Sequence, residues 1–238
     1  MKQVSFNELC VKHKSDKADH QHGYAKFYER FFERIKKNNK KVSILELGVR
    51  HANSTKAFSE YFNKSKIIGV DLVLQGAAKS CRGIADLIKM DVTKFKELKE
   101  ALGDNTFDII IDDASHISGH QIDCFENYFD LVNPGGIYII EDLHTSYMTL
   151  VRNSKLVKLD TTNMSFRAQR GTSGYDHETG VDNPNTAVGY FKKLVDKVNC
   201  NGRSPYGKNG FEEHFDKKMN IASITFIRGC CIVEKFND

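Results

Sequence analysis

No apolar run in the chain reaches the roughly 18 residues that a membrane-spanning helix needs, so no segment is expected to cross a bilayer. The opening MKQVSFNELCVKHKSDK carries no apolar core of the secretory kind, so a cytoplasmic location is expected. Paired cysteines at metal or redox spacing are also missing. Cys10, Cys81, Cys124, Cys200, Cys230 and Cys231 include no C-x-x-C, and Cys230-Cys231 lies within an apolar run. Reduced, buried thiols are expected, with neither a zinc site nor a disulfide framework. Charge imbalance is slight: 35 basic against 31 acidic residues give +4. That is too little to argue for nucleic acid, and Lys36-Lys37 and Lys40-Lys41 read as a solvated helix end. Internal repeats, low-complexity tracts and the dinucleotide fingerprint G-x-G-x-x-G are absent. Gly48 is followed by Val49-Arg50-His51-Ala52, which argues against NAD and for a looser nucleoside site.

What is present fits one α/β domain spanning residues 1–238, with 40% hydrophobic and 28% charged residues. Two stretches organise it. FDIIIDDASHISGH (107–120) and GGIYIIEDLHTSY (135–147) are β-branched runs that end abruptly in acids, Asp112-Asp113 and Glu141-Asp142. Such runs read as strands buried on both faces of a parallel sheet. Ligands of open α/β sheets bind outside the carboxyl ends of the strands. Four carboxylates and a histidine delivered there make a candidate site. Glu141 and Asp142 would face opposite sides of a strand, so joint use of the pair requires the chain to turn at Asp142.

In order, residues 1–40 read as helical, with YAKFYERFFERI placing Tyr24, Phe27, Tyr28, Phe31, Phe32 and Ile35 on one stripe. The preceding loop gathers Ser15, Asp16, Lys17, His20 and His22, where anion or cofactor contacts are cheap to make. Strands are expected at 42–48, 66–72, 84–91, 107–112 and after the break Asn133-Pro134-Gly135-Gly136. Asn53-Ser54-Thr55 resembles a helix cap. Glu46, Gly48, Asp71 and Asp91 stand at strand ends, Asp71 where ribose hydroxyls could donate to it. Residues 148–184 are polar, glycine-rich and aperiodic, as expected of a substrate-side lid. A helix at 185–199 and a hairpin, 221–227 and 230–236 around Arg228-Gly229, complete the pattern. The alternation predicts a Rossmann-like doubly wound sheet, mostly parallel, with an antiparallel C-terminal hairpin strand.

The fragments SDK…HGYAKFYERFF, ILELGV, GVDL, DDASH, PGGIYIIEDLHTSY and SITF…CIVEK fall in the order found in the metal-dependent class I S-adenosylmethionine O-methyltransferases. The chain most resembles the group acting on sugar hydroxyls of macrolide glycosides. The resemblance implies Asp113, Glu141 and Asp142 as ligands of a divalent ion, usually Mg2+, and His116 as general base with Asp113 beside it. It also implies cofactor contacts at Glu46, Gly48, Asp71 and Asp91. Ser54, Asp112 and Lys17 join them as cofactor-side candidates, Asp112 alternatively backing the ligands or capping the next helix.

The chemistry is coherent. A sulfonium donor is already activated, so the protein must position a hydroxyl and remove its proton. A divalent cation acidifies a bound oxygen, and an imidazole can take the proton. The expected partner is a sugar, glycoside, nucleotide sugar or surface-polysaccharide precursor, with no nucleic acid or membrane; homo-oligomer formation is left open. Two rivals stand: an iron enzyme on Asp113, His116 and His120, and an RNA-directed or non-catalytic module using the basic clusters.

Overall fold

The computed structural model describes residues 4–38, 41–74, 76–147, 151–152, 155–156, 179–200 and 219–237. Most of the expected lid at 148–184, together with Lys40, lies outside them. Helices α1 (Phe6–Lys12) and α2 (Ala25–Asn38) precede β1 (Ser43–Leu47) and α3 (Asn53–Phe62). Then come β2 (Lys66–Asp71), α4 (Ala77–Ser80), β3 (Asp86–Lys89), α5 (Phe95–Leu102), β4 (Phe107–Asp112) and α6 (Ser118–Tyr128). Strand β5 (Val132–Ile140), a short hairpin of β6 (Val151–Arg152) and β7 (Lys155–Leu156), α7 (Ala187–Cys200), β8 (Ile221–Ile227) and β9 (Cys230–Lys235) follow.

Seven strands form one sheet in the order β3-β2-β1-β4-β5-β9-β8. The pairs from β3 to β5 are parallel, whereas β9 runs antiparallel to both β5 and β8. The expected sheet and its hairpin are therefore present, and the hairpin is tied in through β9. Chain order reverses at the β1–β4 junction, where α/β sheets open a crevice.

Alternate residues of the central strands feed two cores. Leu45, Leu47, Ile110, Tyr138 and Ile140 meet Leu98, Phe125 and Phe191 of α5, α6 and α7 on one face. Ile44, Ile109, Ile111, Ile137 and Ile139 meet Phe6, Tyr28, Phe32 and Phe58 of α1, α2 and α3 on the other. All six residues of β4 are buried, which is why its sequence shows no alternation. The aromatic stripe is thus largely core, with Phe27 and Phe31 half-buried at its edge: Phe32 packs edge-on to Phe6 and Phe58.

Three boundaries differ from expectation. Val132 opens β5, and Asn133-Pro134-Gly135-Gly136 forms the strand's irregular start instead of a break before it. Gly135 donates its N–H to the Phe236 carbonyl at 3.0 Å there, which keeps this stretch in the sheet. Strand β3 is shorter than expected, leaving Asp91 two residues beyond its end. Helix α3 begins at Asn53 after a left-handed Ala52, with no side-chain cap; the Ser54 and Thr55 hydroxyls donate to Glu46 instead.

Candidate active site at the carboxyl edge of the sheet

Register places the acids. Leu47 pairs with Asp112, and Asp112 with Ile140, so the next residues, Gly48, Asp113 and Glu141, stand level on three adjacent strands. Gly48 must be glycine: its φ is +91°, and a Cβ there would lie 2.1 Å from the Asp113 carbonyl oxygen. The space a side chain would need is taken by the neighbouring strand's exit. Beyond Glu141 the chain turns as the acid doublet required. Asp142 is left-handed (φ +55°), and a 3-10 turn, Leu143–Tyr147, follows.

His116 is also left-handed, at φ +59°. The Thr145 hydroxyl bridges the two strained residues, 2.9 Å from the carbonyl oxygens of both His116 and Asp142. Their side chains converge. His116 Nε2 lies 3.7 Å from Asp113 Oδ1 and 3.6 Å from Asp142 Oδ2. Backbone strain of this kind clusters at functional sites. Asp142 Oδ1 accepts from the Tyr24 hydroxyl at 2.8 Å, with His22 Nδ1 and His144 Nδ1 at 3.8 and 3.9 Å. Sequence reasoning assigns no catalytic role to Tyr24, Thr145 or His22, although it places His22 in a loop suited to anion or cofactor contacts and Tyr24 on the aromatic stripe.

Behind this group lies Lys17, which is 1% exposed. Its ammonium sits 2.7 Å from both Asp113 Oδ2 and Glu141 Oε2. Burial opposes the lysine's charge, but Asp113 and Glu141 outweigh it and raise its pKa well above the ordinary value. Burial and the neighbouring Asp113 and Asp142 raise the Glu141 carboxyl, beyond what Lys17 offsets. Asp113 and Glu141 face the ammonium and Asp142 stands across His116 from Asp113, so the acids outnumber the lysine and leave surplus negative charge.

In front opens a cleft of about 710 Å³, lined by Gly48, Ser54, Asp71, Asp91, Asp113, His116 and Asp142 among others. Asp71 accepts backbone N–H groups of Arg50 at 2.7 Å and Val73 at 3.0 Å, shaping the cleft's rim. Asp91 accepts from the Thr93 N–H at 2.9 Å. Glu46, Asp112 and Lys17, expected on the cofactor side, lie behind this wall rather than on it. Glu46 is buried beneath α3, and burial, offset in part by Lys17, Ser54 and Thr55, pushes its carboxyl up to about 7. Asp112 is likewise pushed up to about 7 by burial, and one of its oxygens has no hydrogen-bond partner.

The residues fit a divalent cation. Donor atoms of Asp113, His116 and Asp142 all lie within 4.8 Å of one another, the one such group among the described residues. Its oxygen-rich character and surplus charge suit Mg2+ or Mn2+. Glu141 stands outside it, on Lys17. His120 stands outside it too, its Nδ1 3.0 Å from Ser115 Oγ, so the Asp113, His116 and His120 set of the iron rival does not converge.

No family model matches the chain. It is 30% identical over 237 residues to the 8-demethyl-8-alpha-L-rhamnosyl tetracenomycin-C 2'-O-methyltransferase of Streptomyces olivaceus, covering 95% of this chain and 53% of that protein. Identity to the demethylmacrocin O-methyltransferase of Streptomyces fradiae is 33% over 151 residues, 60% of this chain and 37% of the relative. Among solved structures, the MycE methyltransferase of the mycinamycin biosynthetic pathway, in complex with Mg and SAH, superimposes with a TM-score of 0.71 at 25% identity. That match covers 100% of this chain and 55% of MycE. The chain thus spans about half the length of these relatives or less. Sequence and fold together make it a homologue of the sugar O-methyltransferases, built on the Rossmann-like fold of class I S-adenosylmethionine-dependent methyltransferases.

Proposed function

We propose that the chain transfers a methyl group from S-adenosylmethionine to a hydroxyl of a sugar, assisted by a divalent cation. The observation that carries this reading is the convergence of Asp113, His116 and Asp142 at the cleft. The acceptor would be a glycoside, a nucleotide sugar or a surface-polysaccharide precursor. The relative named for a rhamnosyl tetracenomycin favours the first. We place the protein in the cytoplasm, in keeping with unpaired thiols such as Cys10 and Cys124. No described helix is long and apolar enough to cross a membrane.

When bound, the sulfonium donor supplies an electrophilic methyl group and the cation acidifies a hydroxyl beside it. Gly48, Ser54, Asp71 and Asp91 form the wall against which the donor's nucleoside would lie. Asp113 and Asp142 offer oxygens to the ion, and Glu141, level with Asp113 on the next strand, is the third carboxylate that could turn to it. His116, standing beside the ion and not on it, takes the acceptor's hydroxyl proton at Nε2, 3.7 Å from Asp113 and 3.6 Å from Asp142. Tyr24 and Thr145 keep Asp142 from rotating away, Tyr24 through the carboxylate and Thr145 through the backbone.

The test is calorimetry with S-adenosylmethionine, followed by methyl transfer to rhamnosides with and without Mg2+. Binding in the micromolar range and transfer abolished by chelation are expected. No binding at millimolar cofactor would overturn the reading.

A further inference from the structure

The second histidine of FDIIIDDASHISGH has no place in the metal group or in the proton transfer, yet it lines the cleft. His120 lies half-buried in the first turn of α6. One and two turns further along the same face, the Cys124 thiol and the Tyr128 hydroxyl point at the Val92 carbonyl, at 4.0 and 2.6 Å. Residues four apart share a helix face, and their side chains lean toward its N-terminus. His120 therefore continues that row past Val92, toward Asp91 and the open cleft. Its ring is held from behind: Nδ1 lies 3.0 Å from Ser115 Oγ, which also accepts the Ile117 N–H at 3.3 Å. With that lone pair taken, the serine proton goes to Nδ1, and the imidazole carries its own hydrogen on Nε2. Asp91 is oriented in a similar way, because its Oδ1 takes both the N–H and the hydroxyl of Thr93. Its Oδ2 is left to accept from a ligand.

We propose that His120 is a specificity-determining contact for the donor's base, with Ser115 as its positioning residue. The inference rests on the S-adenosylmethionine reading above. A flat heteroaromatic base needs apolar surface for its faces and matched polar groups for its edge. Leu72 and Met90 line the same cleft and supply the apolar surface. At the edge, the Asp91 carboxylate accepts from an exocyclic amine, and His120 Nε2–H donates to a ring nitrogen beside it. Adenine offers that pairing, an amine flanked by acceptor nitrogens. A base with an oxo group in place of the amine would turn an acceptor toward the carboxylate, and the mismatch rejects it.

The experiment measures, by calorimetry without metal or acceptor, the binding of S-adenosylhomocysteine and of two analogues in which C–H replaces N1 or N7 of the adenine. His120→Leu should weaken S-adenosylhomocysteine about 10-fold, the worth of one hydrogen bond in a partly buried site. On the wild type, one of the two analogues should lose a similar factor. On His120→Leu that same analogue should bind within about threefold of S-adenosylhomocysteine. Ser115→Ala, which keeps the imidazole, should weaken S-adenosylhomocysteine about threefold and leave the affinity for that analogue unchanged. Unchanged binding by His120→Leu would overturn the proposal, as would a loss shared equally by all the ligands, the mark of packing alone. Should His120→Leu not fold, the wild-type analogues and Ser115→Ala decide, and analogues bound as tightly as the parent compound defeat the proposal. Wild-type binding of S-adenosylhomocysteine without the His120 effect defeats this inference only. No wild-type binding at millimolar ligand defeats the donor reading and this inference with it.

Discussion

Replacing Glu46 by glutamine should stabilise the protein above neutral pH, although Glu46 is fully buried and accepts two hydroxyl hydrogen bonds. Its carboxyl titrates at about 7 when folded, against 4.5 ordinarily, because burial disfavours the anion more than Lys17, Ser54 and Thr55 favour it. The folded state therefore holds this proton more tightly than the unfolded chain does. Glu46's contribution is complete below 4.5, declines as pH rises toward about 7, and is lost beyond. The rise corresponds to roughly 3 kcal/mol. Glutamine cannot ionise, and its amide oxygen still accepts a hydroxyl. In urea unfolding from about pH 4.5 to 8, the two proteins should be alike at the acid end. Glu46→Gln should then gain roughly 2–3 kcal/mol over wild type by the alkaline end. Asp112, which is also pushed up by burial, contributes equally to both proteins and cancels. A variant less stable than wild type at about pH 8, or one with an identical pH slope, would refute the reasoning.

Gly48→Ala should cost at least about 2 kcal/mol in urea unfolding, through its positive φ and the clash with Asp113; a cost under about 0.5 would contradict the geometry. His116→Asn keeps a residue tolerant of left-handed backbone, so turnover should fall roughly 10²–10⁴-fold with cofactor affinity held within about threefold; an unchanged rate would move the base elsewhere. Tyr24→Phe removes the hydroxyl from Asp142 and should lower stability by roughly 1–3 kcal/mol, read as a lower thermal midpoint, and an unaltered midpoint would deny that hydrogen bond any weight.

The strands were legible because burial on both faces forces continuous apolar runs such as Ile109-Ile110-Ile111, and the acids that end them mark the sheet's edge. The turn at Asp142 was legible as well, from the demand that neighbouring acids share a site. Less could be read of the packing beneath. Lys17 sits 96 residues from Asp113 and 124 from Glu141, and nothing local says that a lysine in a polar loop will be buried between them. Ser54 and Thr55 read as caps because local rules reward hydroxyls at a helix start. Glu46, eight residues back on β1, outcompetes the backbone for both. The proline-glycine stretch at 133–136 misled for a related reason: Gly135's tie to Phe236 is a contact of long sequence range.

The most direct test of the account is anomalous diffraction from crystals grown with Mn2+ and S-adenosylhomocysteine. A single Mn2+ peak bonded to carboxylate oxygens of Asp113 and Asp142 at about 2.2 Å, in the cleft that holds the nucleoside, is expected. A cleft with the nucleoside bound and no Mn2+ peak between those two residues at saturating metal would contradict it.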